Sequence, residues 1–376
     1  MREATEGTPA VTAAEITGNP PGSFAWGVLH DRHPRLIAQV RDGLPYPPGI
    51  GRALDALAEE ITGDIRPLDG WERYAGRSWY DVPFLWAESC FYRKLLDAVG
   101  YFRPGPWQGI DPFEPVKSAE LRTSDLAADL DAYAEVPEGE RDAALLNASL
   151  WGNRADLGFR LSAGHGEGDG AALLVDQSAD ILALLERGGT VVVVADNSAR
   201  ELVPDLLLAD HLLGTGRATT VVLHVKPYPY FVSDAVLADV VAALRRLTEA
   251  DGPAAEAGHR LRGHVREGRL VVRAHPFSCA PWSYHRMPAD LAADFAAATV
   301  TIMKGDLNYR RLVGDRHWPP STRFDEVTAY FPGRVAALRT MKCDVAVGIP
   351  ADVVARLDAS GDQWRSNGAH AVIHVR

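Results

Sequence analysis

Three cysteines in 376 residues, Cys90, Cys279 and Cys343, are too few, too scattered and odd in number for a disulfide framework or a zinc cluster. A reducing, cytoplasmic setting is the expectation. Basic charge is also short: 39 Lys+Arg stand against 50 Asp+Glu, a formal charge of -11, so the long-range field repels nucleic acid and anionic membrane. A local basic pocket for one small phosphate is still allowed. No apolar run approaches the roughly 18 residues that span a bilayer, and the acid-bearing start MREATEGTPAVTAAEITG has no apolar core of an export signal. What is present, 47% hydrophobic and 24% charged residues, is the composition of a globular protein with a sizeable core.

The chain changes texture along its length. Up to about residue 115 it reads as helices between Pro and Gly breaks, such as GRALDALAEEITGD (51–64) and PFLWAESCFYRKLLDAVG (83–100), with apolar residues at helical spacing. The Gly-rich stretch SAGHGEGDGAA (162–172) lacks the Gly-Lys-Ser/Thr ending of a phosphate loop and is read as a linker. Beyond it, seven short apolar runs alternate with amphipathic helices: ALLVD, TVVVVAD, TTVVLHVK, RLVVRAHPF, ATVTIMKGD, VAALRTMKCDVAVGI and HAVIHVR. That alternation predicts a mostly parallel, Rossmann-like sheet in a three-layer α/β/α domain over 116–376, behind an N-terminal helical region over 1–115.

Polar residues at the ends of those runs carry the chemistry. TVVVVADNSARELVPDLLLADHLL (190–213) stops four valines with Asp196 and Asn197, where a parallel sheet presents strand ends and helix N-termini to ligands. Ser198 is the expected N-cap of the following helix, whose inward stripe is Leu202, Leu206, Ala209 and Leu213. The next run leads to Ser233-Asp234 before another helix. Asp196, Asn197 and Asp234 together offer three hard oxygen ligands whose two charges balance a divalent ion; ordinary turn and capping roles are the alternative. Lys304, Asp306, Asn308 and Arg310 follow a later strand, and Arg339 and Lys342 sit in a strand-like stretch where a cation calls for an anion. His224, His275 and His285 are read as structural.

These stretches, LWGNRADL (150–157), VADNSARELVPDLLLADHLL (194–213), FVSD (231–234), KGDLNYRRL (304–312) and RTMK (339–342), occur in one order. In them the chain resembles the domain-of-unknown-function-89 family of metal-dependent damage-control phosphatases, most of all its acidic-residue methyltransferase-like branch (subfamily III), marked by Arg-Thr-x-Lys. The resemblance implies hydrolysis of small phosphate monoesters such as fructose 1-phosphate. It implies a divalent ion, manganese first, then magnesium, cobalt or nickel, on Asp196, Asn197 and Asp234. Asp306, Leu307, Asn308, Tyr309, Arg310 and Lys342 would meet the phosphorylated substrate, and Lys342 would join Asp196, Asn197 and Asp234 in catalysis. Asn153, Asp156 and Glu201 are further substrate-binding candidates, with helix-end roles as the alternative. Where relatives have Gly-Phe after Asp-Asn-Ser, this chain has Ala199-Arg200; Arg200 is read as pointing to solvent.

Whether Asp196 or a water attacks phosphorus is left open. The competing reading is S-adenosylmethionine-dependent methylation of protein carboxylates, although no Gly-x-Gly-x-x-Gly loop accompanies it: GTG at 214–216 reads as a helix stop. A phosphatase dedicated to one unusual metabolite is a third reading. The expected partner is a small phosphorylated metabolite, with neither nucleic acid nor membrane, and the expected state is a monomer or dimer.

Overall fold

A computed structural model describes residues 13–123, 136–152 and 172–376. The linker stretch up to residue 171 and the candidates Asn153 and Asp156 lie outside the described residues. Five helices of eight or more residues precede the sheet among the described residues: α1 (His33–Gly43), α2 (Pro48–Glu60), α3 (Phe84–Ala98), α4 (Glu114–Thr123) and α5 (Arg141–Leu150). The two helices expected from spacing are α2 and α3. Pro48 opens α2 at a position where its missing N–H has no helical acceptor to lose.

All seven apolar runs are strands: β1 (Ala172–Asp176), β2 (Thr190–Val194), β3 (Thr220–Val225), β4 (Leu270–Ala274), β5 (Val300–Lys304), β6 (Val335–Thr340) and β7 (His370–Val375). They form one sheet in the order β1-β7-β6-β5-β2-β3-β4. β2 to β6 run parallel, and β7 runs antiparallel to β6 and parallel to β1. Between the strands lie α6 (Ser178–Leu185), α7 (Leu202–Gly214), α8 (Leu237–Thr248), α9 (Gly252–Arg266), α10 (Ala289–Ala297), α11 (Gly305–Val313) and α12 (Ala351–Ser360).

Alternation along each strand divides the core into two layers. Val191 and Val193 pack with α5 to α9 on one face, whereas Val192 and Val194 join a cluster containing α1 to α3, α10 and α11 on the other. The N-terminal helices therefore share a continuous core with the sheet. α7 is buried around nearly its whole circumference, which leaves its Asp205 and Asp210 needing internal partners. No helix among the described residues is long and apolar enough to cross a membrane.

The strand order places the site. β2 is followed by β3 and β4 on one side, then the chain returns so that β5 and β6 extend the other. At such a reversal the loops leaving neighbouring strands diverge and open a crevice at their carboxyl ends. Here that crevice adjoins Asp196.

Candidate active site

The segment leaving β2 does not enter α7 directly. It first bridges to the segment between β3 and α8: Ala235 N donates to Asp196 O at 2.9 Å, Ser198 N donates to Ser233 O at 2.7 Å, and Asn197 and Asp234 pair across an antiparallel bridge. This cross-link brings the two acidic turns edge to edge. It also corrects the expected cap. Ser198 is held in the bridge, Ala199 takes a left-handed φ of 51°, and α7 begins only at Leu202 with Glu201 as its N-cap residue. Ser198 Oγ is buried without a hydrogen-bond partner among the described residues, while Leu202, Leu206, Ala209 and Leu213 are buried as expected.

The turn from β5 into α11 closes the third side. Gly305 has a φ of +80°, and a Cβ there would lie 1.8 Å from Asp196 Oδ2. Only glycine lets the backbone approach the carboxylate so closely. The Asn197 amide donates to Asp196 Oδ2 at 3.1 Å and Glu201 Oε2 at 2.8 Å, and its oxygen accepts from Ser233 Oγ at 2.7 Å. Glu201 is pressed in turn against the end of α5: a Cβ on Gly152 would meet Glu201 Cγ at 2.7 Å.

Burial pushes the Asp196 carboxyl well above its ordinary range, and the Glu201 and Asp234 carboxylates push the same way against Lys342 and Lys226. Burial also raises Asp234, against Lys226, the Phe231 N–H, Lys117 and Arg311. Two desolvated carboxylates and an amide oxygen are hard donors, and a divalent cation would relieve their mutual repulsion. Their chemistry fits such an ion. Among the described residues no group of three or more His, Cys, Asp or Glu side chains is placed to hold a metal, so water or substrate would complete its coordination.

The remaining candidates divide by what already engages them. Lys342 is half-buried, its N–H donates to Asp306 Oδ1 at 3.3 Å, and its ammonium acts on Asp196. Asp306 is half-buried, and Arg339, with Nε 2.7 Å away, holds its carboxyl below the usual range. The anion expected beside Arg339 is thus the chain's own Asp306. Arg310 is tied to Glu88 at 2.7 Å and to both oxygens of Asp315, at 2.7 and 3.0 Å. Leu307 packs with Leu85, Tyr230 and Cys279, and the Tyr309 ring lies under the Arg339 guanidinium at 4.3 Å. Asn308 Nδ2 donates to Ala195 O at 3.1 Å and Lys304 O at 2.8 Å, joining β2 to β5. Lys304 reaches the other face to Asp205 at 2.8 Å. Arg200 is half-exposed, with its N–H and charge acting on Glu120.

Two contributors were not singled out from sequence. Lys226, at the end of β3, is 2% exposed and acts on both carboxylates. Lys117 on α4 donates to Asp234 O at 2.9 Å and pairs with Asp111 and Asp239. A compositional signal existed: the chain has only five lysines among its 39 basic residues. Three of them, Lys117, Lys226 and Lys342, act on Asp196 or Asp234.

Comparison with known proteins agrees with this architecture. A crystal structure of a DUF89 family protein from Pyrococcus horikoshii superposes with a TM-score of 0.51 at 14% identity, covering 89% of this chain and 93% of that one; it bears on the fold alone. Damage-control phosphatase ARMT1 of Danio rerio is 28% identical, the match covering 94% of each chain. Its Homo sapiens counterpart is 27% identical, covering 96% of this chain and 98% of that protein. The family profile described as "Damage-control phosphatase ARMT1-like domain" matches residues 28–357, and the chain belongs to that family.

Proposed function

We propose that the protein is a metal-dependent phosphatase that hydrolyses small phosphate monoesters, with sugar phosphates such as fructose 1-phosphate as the first candidates. The observation that carries this reading is the bridge that sets Asp196, Asn197 and Asp234 side by side under the Gly305 turn. These three residues would hold a divalent ion, manganese first among the candidates. When bound, such an ion supplies Lewis-acid polarisation of the phosphoryl oxygens.

The chain's own groups do the rest. Asn197, fixed by Ser233 and Glu201, holds the Asp196 carboxylate in place. Lys342 offsets charge that gathers on the phosphoryl oxygens in the transition state. The side chains of Leu307, Tyr309 and Arg310 are spent on packing and internal ion pairs. The 306–310 segment would therefore meet substrate through main-chain N–H groups of the first turn of α11, which lack intrahelical acceptors. The family's name supports phosphatase chemistry over carboxyl methylation.

The test is phosphate release from an aryl phosphate and a panel of sugar phosphates with Mn²⁺, Mg²⁺, Co²⁺ and Ni²⁺. Asp234→Ala is expected to remove metal-dependent turnover by at least about a thousandfold, since charge stabilisation at such a site contributes several kcal/mol. Unchanged turnover in a folded variant would refute the assignment.

A further inference from the structure

We infer that Lys226 is a phosphate-binding residue of this site, its ammonium facing the phosphoryl group from the β3 side. The inference rests on the phosphatase reading above and extends it to a residue outside the matched motif stretches. Lys226 is 2% exposed, and its hydrogen bond among the described residues is a long one, 3.5 Å to Asn308 Oδ1. It forms no ion pair among the described residues, unlike the buried Lys94, Lys117 and Lys304, which each hold a carboxylate at 3.0 Å or less. An ammonium has three donors. Burying one with a single weak acceptor is costly unless an anion arrives.

Its surroundings sharpen the point. Asn308 lies in the first turn of α11, the turn whose Gly305 abuts Asp196. A lysine beside a helix N-terminus meets the partial positive charge of the unpaired N–H groups, an arrangement that repels a cation and attracts an anion. Asp196 and Asp234 both feel Lys226, but two carboxylates are matched by one divalent cation. Two lysines, Lys226 and Lys342, then match the two charges of a phosphate-monoester dianion. Composition gives independent weight: in a chain whose basic residues are overwhelmingly arginine, this position carries a lysine, which supplies a compact point charge in place of a planar fork.

The experiment compares the wild-type protein with Lys226→Met by calorimetry. Inorganic phosphate is titrated into Mg²⁺-loaded protein, and Mn²⁺ is titrated separately into metal-free protein. Phosphate affinity is expected to fall about ten- to a hundredfold, the loss typical of one charge-assisted bond. Mn²⁺ affinity is expected to hold or rise, because a like charge has been removed. Phosphate affinity within twofold of wild type, or parallel loss of both ligands, would overturn the inference, the latter by assigning Lys226 to packing. If the variant does not fold, the wild type decides: with ¹⁵N-lysine and Mg²⁺, the Lys226 ammonium resonance, one of five, should shift on adding phosphate, and a stationary signal overturns the proposal. Wild-type protein that binds metal but no phosphate would sink the phosphatase reading as well, whereas phosphate binding unaffected by Lys226→Met would sink this inference alone.

Discussion

Gly305 and Gly361 both hold positive φ, at +80° and +78°, yet their surroundings differ completely. A Cβ on Gly361 meets nothing within 4 Å, whereas on Gly305 it would overlap the Asp196 carboxylate. Gly361→Ala should therefore cost only the conformational penalty, about 1 to 2 kcal/mol, with activity intact. Gly305→Ala must push Asp196 aside. We expect it to reduce turnover by more than about a hundredfold, since misplacement by about 1 Å is enough for such a loss. Equal activity of the two variants, measured beside their urea midpoints, would show that Asp196 does not need its present position. Sequence alone says nothing of the carboxylate beside one of these glycines.

At the scale of elements, α11 is fastened to α3 by Arg310, which joins Glu88 on α3 to Asp315 just beyond α11. All three side chains are at most 7% exposed. Removing the cation strands two buried carboxylates, so Arg310→Met should lower stability by roughly 3 to 5 kcal/mol, read from urea unfolding. A loss below about 1 kcal/mol would mean that the pair is not buried as described. The strand runs and α2, α3 and α7 were legible because each is written in a local period of apolar residues. The Arg310–Glu88 pair was not, since Glu88 lies 222 residues away. Ser198 shows the same limit at short range: its sequence context suits a cap, but the bridge to Ser233 takes the backbone first.

For the whole molecule, buried neutral histidines set an acid limit on stability. Burial lowers His33 to about 3, with Arg32 adding to the effect, and lowers His224 and His374 to about 4. His33 is 1% exposed and stacked on Phe91 at 3.7 Å. Unfolded histidine titrates near 6.5, so the unfolded chain binds more protons below that value and acid favours it. The stability is complete above about pH 6.5 and is lost as pH falls toward 4 and then 3, each histidine contributing up to about 1.4 kcal/mol per pH unit. Urea midpoints should fall from pH 7 to pH 5, and His33→Phe should make that fall shallower. An unchanged slope would show that His33 does not remain neutral in the fold.

By itself the sequence determined the α/β class, the seven strands and the polar residues that end them, because strand and helix periodicity and turn chemistry act between near neighbours. Tertiary structure alone decided that β5 lies beside β2, that the Asp196 and Asp234 turns bridge, and that Arg310 and Arg339 spend their charge on internal carboxylates while Lys226, among the described residues, does not. The physical reason is that strand order and ion pairing are chosen by packing and desolvation across the whole core, between groups the chain separates by tens to hundreds of residues.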